Sequence, residues 1–415
     1  MRKLITAMLA LLVAGAVFAS GAKEQGTVAA GGAGTAGGGE KKTVTIWSYW
    51  ETVKHQETLA KVCKDYNASQ DKVEVVVKYV PFADFKKQLS IGAVAAELPE
   101  IVIIDNPDHA SYSAMGIFAD ITDKVASWPG LSQYYEGPLN SCKLNGRLYG
   151  IPFGSNCLSL YYNEDMLKAA GAVPPKTWDE LKDVAAKTTK GNVYGFGISS
   201  LQNEEGTFGF LCWLWGTGNT SFQIGNAGGV KALSLVRDLA NGGAMPKEVI
   251  NWTQGDTMNQ FISGNLAMMV NGPWQVPTMR QQAPNLKWNV VQLPVGNVPA
   301  SDLGGENFGV IKGDKVAEAL DFIKFATDAE RIKTYINDFG YIASRKDVAA
   351  TQFTNDPVMK VFAAQMASAQ PRGPHPRWPE ISDALSLAMN ESIIGIMTPE
   401  AAAAKAQKTI DAVTK

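Results

Sequence analysis

The chain has 415 residues, 46% of them hydrophobic, with 40 Gly and 20 Pro, a globular composition long enough for two or three domains. Its 38 basic and 40 acidic residues leave a net charge of −2 with no dense basic tract, which argues against a nucleic-acid partner. Only 3 His stand beside 10 Trp, 12 Tyr and 16 Phe, so metal or general-base chemistry resting on histidine has little material, while aromatic binding surface has much.

The chain opens MRKLITAMLALLVAGAVFAS, with Arg2 and Lys3 ahead of an apolar run from Leu4 to Phe18. Val17 and Ala19 stand at the −3 and −1 positions of a cleavage before Ser20, so residues 1–19 read as a secretory signal, shorter than the ~20 apolar residues of a membrane span. No Cys follows the signal until Cys63, so the reading is a soluble periplasmic protein without lipid attachment. Without Arg2 and Lys3, 36 basic residues face 40 acidic ones, a net charge of −4. Residues 20–42 are rich in Gly and offer no face to bury; they read as a flexible leader.

From residue 43 the pattern is strand (TVTIWSYW), helix (53–68), strand (72–80), helix (82–98, stopped by Pro99) and strand (EIVIIDNPD). That order predicts a mostly parallel sheet covered by helices, with its ligand edge at the strand C-termini. Trp47 to Trp50 and Asp105 to Asp108 both fall on that edge. LNGRLYG reads as a hairpin, and a second α/β pattern begins near 157 with the strand CLSLYYN. It continues through a helix at 178–190, capped by Thr177 with Glu180 as capping-box partner, and the strand VYGFGIS. The aromatic block FGFLCWLW carries Trp213 and Trp215 two residues apart, on one face of a strand or on different faces of a helix. A helix at 228–243 and the strand LAMMVNGP, ending at Trp274, complete this block. NFGVI is a further strand, 316–340 is helical with a break near Thr327, and the chain closes with a Pro-rich loop and two helices. Four Cys, an even number, permit disulfides in an oxidising compartment. Cys142 and Cys157 are the candidate pair, with buried free thiols as the alternative.

These motifs, in this order and behind an export signal, resemble the extracellular solute-binding proteins of bacterial ABC importers, in the sugar-binding group of maltose-binding protein. The resemblance runs over 43–413 and rests on TVTIWSYW, ELPEIVIIDNPD, NGRLYGIPFGSNCLSLYYNEDML, TWDELKDVA, FISGNLAMMVNGPW, GGENFGVI, ALDFIKFATDAERIKTYINDFGYIASRKDV and PHPRWPEISDALSLAMNE. It implies a two-lobed, type II-like periplasmic binding protein fold of mostly parallel sheets flanked by helices, with a ligand cleft between the lobes. Lobe one would hold 43–154 plus 301–343, and lobe two 155–300 plus 344–413. The implied function is capture of a mono- or oligosaccharide and its delivery to a transmembrane permease, by a monomer with no catalysis and no cofactor.

A pyranose presents an apolar face and a rim of hydroxyls, which call for flat aromatics and for Asp, Glu, Asn or Arg. The resemblance places such contacts at Trp47, Trp50 and Glu51, at Asp105 and Asn106, and at Asn156 where the chain crosses between lobes. It adds Asn271, Gly272 and Trp274, then Gly304, Gly305 and Glu306, and Trp378; guanidinium chemistry adds Arg372 and Arg377, and one of Trp213 and Trp215 could reach the cleft, with a buried core role as the equal alternative. Two alternatives stay open. Arg372 and Arg377 in one loop exceed what a neutral sugar needs and point to a glycerol phosphodiester or another anionic solute. A secreted glycoside hydrolase would use the same aromatics with two carboxylates flanking the scissile bond. No HExxH, GxSxG, P-loop, dinucleotide fingerprint or EF-hand spacing occurs.

Overall fold

Lys42–Ser48 (β1) alternates between exposed and buried residues at its start and is buried from Ile46 onward. It pairs in parallel with Val73–Tyr79 (β2) on one side and with Ile101–Asp105 (β3) on the other. The structure, a computed structural model, describes residues 41–415; the expected signal and all but the last two residues of the expected leader lie outside them. Lys42 already pairs with Val73, so the strand begins at the last residue of the expected leader, one residue ahead of the expected start at 43. β3, the run IVIID, is buried at every position, as a strand covered on both faces must be.

Lys143–Leu144 (β4) and Arg147–Leu148 (β5) form the expected hairpin, turned by Asn145 and Gly146 at φ 49° and 77°. Gly150–Cys157 (β6) then runs through the large sheet, and the next strand, Ser159–Asn163 (β7), belongs to a different one. β7 lies between Met268–Asn271 (β8) and Trp288–Val291 (β9), antiparallel to both. Ser301–Val310 (β10) brings the chain back to the large sheet between β3 and β6. Ile342–Ala343 (β11) pairs with β6, and Ala369–Pro371 (β12) with the start of β10.

The expectation of mostly parallel sheets needs correction. β10 runs antiparallel to β3 and β6, β11 antiparallel to β6, and the three-stranded sheet is antiparallel throughout. The cause is the connection. β6 and β10 carry the chain away from the large sheet and back, so they meet head to tail, tied where the Ser301 hydroxyl donates to Leu158 O at 2.7 Å. VYGFGIS is not a strand either. It makes single parallel bridges from Tyr194 to Leu266 and from Gly197 to Met269, because Gly195 packs bare backbone on Ala185 and Gly197 on Leu266.

FGFLCWLW lies in the helix Glu204–Gly216, which is buried on every side. Asn203 caps it by accepting from Glu205 N. Thr177 caps the helix Trp178–Thr188 as expected, but Glu180 reaches back to Lys176 N rather than to the cap residue. The break near Thr327 is present: one helix ends at Ala326 and the next, Ala329–Tyr335, starts under the side-chain cap of Asp328. One hydrophobic cluster surrounds the large sheet, and a second joins β7 and β8 to the helices Glu204–Gly216, Ala227–Asn241, Trp378–Ile394 and Pro399–Thr414. Trp274 packs against both. Among the described residues, no helix is long and apolar enough to cross a membrane.

The expected Cys142–Cys157 disulfide is absent, and all four Cys are free and buried. Cys142 belongs to the cluster around the large sheet, while Cys157 faces a third cluster, where its thiol meets Phe362 O at 3.4 Å.

Candidate functional site

Because β1 and β3 run parallel, their C-terminal ends share one edge, and a cleft of about 640 Å³, open to solvent, begins there. The end of β1 supplies Tyr49, Trp50, Glu51 and Thr52, and the end of β3 supplies Asp105. Asn156 comes from β6, and Gly304, Gly305 and Glu306 from β10, whose register shifts between Glu306 and Asn307. Across from them stand Glu204, Glu205 and Phe208 of the first turns of one helix, Gln254 at the start of another, and Trp274 just beyond β8. Tyr341 and Arg372 complete the wall, with His55 and Phe82 at its margin.

Trp274 is half-buried, its ring 6.1 Å from that of Phe208. The indole folds back over Gly272, where any Cβ would sit inside the ring. Gly272 therefore seats Trp274 and does not itself line the cleft, and Asn271 is buried beneath, its amide donating to Gln254 O at 2.9 Å. Trp50 packs between Phe339 and Phe153, with ring centroids at 4.4 and 5.1 Å, and its Nε1 has no partner. The Asn156 amide lies over Gly304, a position that leaves no room for a side chain, and its Oδ1 has no partner.

The charge at the cleft is organised by Arg372. Its guanidinium grips Asp105 with two bonds of 2.7 Å, reaches Glu204 at 2.7 Å, and has Nε 3.3 Å from Asp302. Lys86 adds ion pairs to Asp108 at 2.9 Å and to Glu204 at 3.5 Å. Burial opposes ionisation of Glu204, yet Lys86, Arg372 and the hydrogen bonds from Ser382 and Trp378 hold its carboxyl below the usual range. Asp302 has only the side of that guanidinium and no hydrogen bond, and burial drives its carboxyl well above the usual range.

Two further carboxyls lack any cation of their own. Glu306 accepts from the Tyr49 hydroxyl at 3.2 Å on Oε1 and has no partner on Oε2; burial and the nearby Asp105 push it up to about 8. Glu205 accepts from Gln254 N at 2.7 Å, and burial, with Glu51 close by, pushes it up to about 7. His55 is buried and neutral, pushed down to about 3, with a ring nitrogen 3.1 Å from Phe339 O.

The structure thus brings Trp50, Glu51, Asp105, Asn156, Trp274, Gly304, Gly305, Glu306 and Arg372 to one cleft, and leaves the other expected contacts outside its lining. Trp47 packs beneath Gly92, with Lys78 4.7 Å above its ring, and Asn106 enters the short turn after β3. Trp213 and Trp215, each 1% exposed, are core residues, because a helix buried all round presents neither of them to solvent. Trp378 is fully buried, its indole donating to Glu204 at 3.0 Å, so it supports the wall from behind. Arg377 is exposed and spent on Glu380, and Arg372 is spent on three carboxylates. Both arginines that pointed to an anionic solute are therefore already paired with carboxylates.

Tyr49, Thr52, His55, Phe82, Glu204, Glu205, Phe208, Gln254 and Tyr341 were missed. Tyr49 sits within the very motif read for Trp47 and Trp50, and Glu204 and Glu205 follow the cap residue Asn203, where acidic side chains favour a helix start. Among the described residues, no group of His, Cys, Asp and Glu fits a metal ion.

The cleft thus joins flat aromatic faces to partnerless polar atoms and is open to solvent. Residues 61–361 match the family profile of the bacterial extracellular solute-binding proteins, and the chain belongs to that family, one of binding proteins rather than enzymes. It is 26% identical over 379 residues to a putative binding protein of Brucella abortus, covering 88% of this chain and 90% of that one. It is 27% identical over 330 residues to the lactose-binding protein of Rhizobium radiobacter, covering 72% and 74%. An ABC transporter solute-binding protein of Thermotoga lettingae, solved bound with α-D-tagatose, superposes with a TM-score of 0.85 at 24% identity, covering 90% of this chain and 100% of that one.

Proposed function

We propose that this chain captures a carbohydrate in the cleft and hands it to the membrane permease of an ABC importer, working as a monomer in the periplasm. The observation that carries the reading is the pairing of aromatic faces, Trp274, Trp50, Phe208 and Tyr341, with buried polar atoms that lack partners, Trp50 Nε1, Asn156 Oδ1 and Glu306 Oε2. An aromatic face covers the C–H side of a sugar ring, while the unpaired atoms exchange hydrogen bonds with its hydroxyls. The lactose- and tagatose-binding relatives favour the same class of solute.

The fold supports a two-lobed, type II-like arrangement: lobe one from 43–154 plus 301–343, lobe two from 155–300 plus 344–413, with β6 and β10 crossing between them. β12, from the last segment, joins the large sheet beside β10, so Arg372 stands where the segments meet. Solute bridging both walls shifts the population toward a closed form, which the permease reads.

Thermal-shift screening of the purified chain against mono- and oligosaccharides, with glycerol phosphodiesters and organic acids as controls, tests the assignment. A sugar at a hundred times its Kd stabilises by about 2.7 kcal/mol. A panel in which only the anionic controls raise the Tm sinks the proposal.

A further inference from the structure

We propose that the solute carries a protonated amine, seated against Glu306 and Asn156; this rests on the carbohydrate reading and narrows it to amino sugars. The cleft is lined by Glu51, Asp105, Glu204, Glu205 and Glu306 and by a single cation, Arg372. That cation is not available to a ligand, since Asp105, Glu204 and Asp302 surround it. Lys86, the other nearby cation, is engaged by Asp108 and Glu204. Glu306, 7% exposed, keeps one oxygen without a partner, and Asn156, 3% exposed, keeps its carbonyl oxygen without one.

Asn156 Oδ1 is an acceptor in every state and Glu306 Oε2 becomes one when the carboxyl ionises, which is the pattern an ammonium answers. A hydroxyl donates once, whereas an R–NH3+ group donates three times and brings the charge that the carboxylates lack. The register supports a shared ligand. Asn156 stands opposite Gly304 on the antiparallel strand, Glu306 lies two residues along, and Gly304 contributes no side chain between them. The phenol of Tyr49 touches Glu306, and Tyr341 and Trp50, ring centroids 6.3 Å apart, line the same wall, giving faces on which a cation is held. No histidine competes for this role, because His55 is buried against Phe339 and Tyr341.

Occupancy has a proton signature. The groups facing Glu306 are Tyr49 and Tyr341, both pushed up by burial, and Asp105 and Arg372, already paired with each other. With its carboxyl up at about 8, Glu306 is mostly protonated at pH 7 in the empty cleft. An ammonium beside it favours the carboxylate, so binding at pH 7 releases up to about one proton. A neutral sugar releases none.

The test is calorimetry at pH 7 in two buffers of different ionisation enthalpy. It compares glucosamine, galactosamine and 1,4-linked glucosamine di- and trisaccharides with their hydroxyl and N-acetyl counterparts, and includes spermidine. The expected result is at least one amino sugar binding tenfold or more tighter than its hydroxyl and N-acetyl counterparts, with proton release. Glu306→Gln should then reduce that ratio to threefold or less and abolish the release, with its melting curve confirming a folded chain. If neutral sugars bind and every amino counterpart binds more weakly, the inference is overturned and the carbohydrate assignment stands. If spermidine binds and no sugar does, the amine site stands and the carbohydrate assignment falls. An amino-sugar preference that Glu306→Gln leaves unchanged overturns the placement.

Discussion

Replacing Arg372 with Met separates the charge network from the packing around it. Met fills similar length over Phe208, whose ring lies 4.4 Å from the guanidinium, but leaves Asp105 and Asp302 with no cation at bonding distance. Glu204 keeps Lys86, Ser382 and Trp378. Breaking a buried pair by removing one partner costs about 3–5 kcal/mol. At ~2.1 cal/mol/K per residue, about 375 ordered residues unfold with an entropy near 0.8 kcal/mol/K, so the Tm should fall by about 4–6 °C at pH 7.5. The sign of the pH dependence follows from the orphaned Asp105. Burial already holds the folded Asp105 carboxyl above its unfolded value, and without Arg372 it rises further, so the variant gains more stability than the parent as pH falls and its deficit shrinks toward pH 5. Adding Asp105→Asn to Arg372→Met should return part of the loss at pH 7.5. Calorimetric melting of the parent, the single and the double variant at pH 7.5 and 5 reads all three effects. A deficit below 1 °C at pH 7.5, or one equal at both pH values, refutes the account.

Trp274→Ala should weaken sugar binding by about 10–100-fold, or roughly 1.4–2.7 kcal/mol, in titration calorimetry, while the chain stays folded. Gly272→Ala should weaken it to a similar degree without touching the lining, because its Cβ displaces the Trp274 ring; unchanged affinity would show that the ring's seat is immaterial. Stability of the empty protein should rise as pH falls from 8 to about 6.5, since Glu306, Glu205 and Asp108, pushed up to about 8, 7 and 7, take up protons more readily folded than unfolded. It should fall below about 4.5, where that gain is complete and His55 and His109, both pushed down to about 3, bind protons only in the unfolded chain. Urea melts across pH 4–8 check the position of this maximum. Thiol titration in denaturant without reductant should count all four cysteines, and the native protein should react far more slowly, since all four are buried.

The parts of the fold legible in the sequence are those set by local pattern. β3 reads as buried because five consecutive residues have no exposed face, and the break at Thr327 is audible because Asp328 is a cap. What escaped depends on the path of the chain. That β10 would enter the large sheet against β3 follows from the long excursion between β6 and β10, which no window of residues contains. The site divides the same way. Residues at strand ends, Trp50 and Asp105, were legible because a parallel sheet puts its ligand edge there, and both line the cleft. Trp213 and Trp378 were misplaced because an indole suits a core as well as a sugar, and only burial distinguishes the two. Arg372 shows the limit most clearly. As a residue type it advertises an anionic ligand, but its three carboxylates come from β3, β10 and the helix after Asn203, more than 60 residues away in the chain in every case, and they reverse its meaning. A guanidinium so enclosed fixes the walls of the cleft and lends no charge to what enters it. With Arg372 so enclosed, Glu306 and Glu205, which no cation claims at bonding distance and which burial pushes up to about 8 and 7, are the groups whose ionisation responds to the charge of whatever enters the cleft.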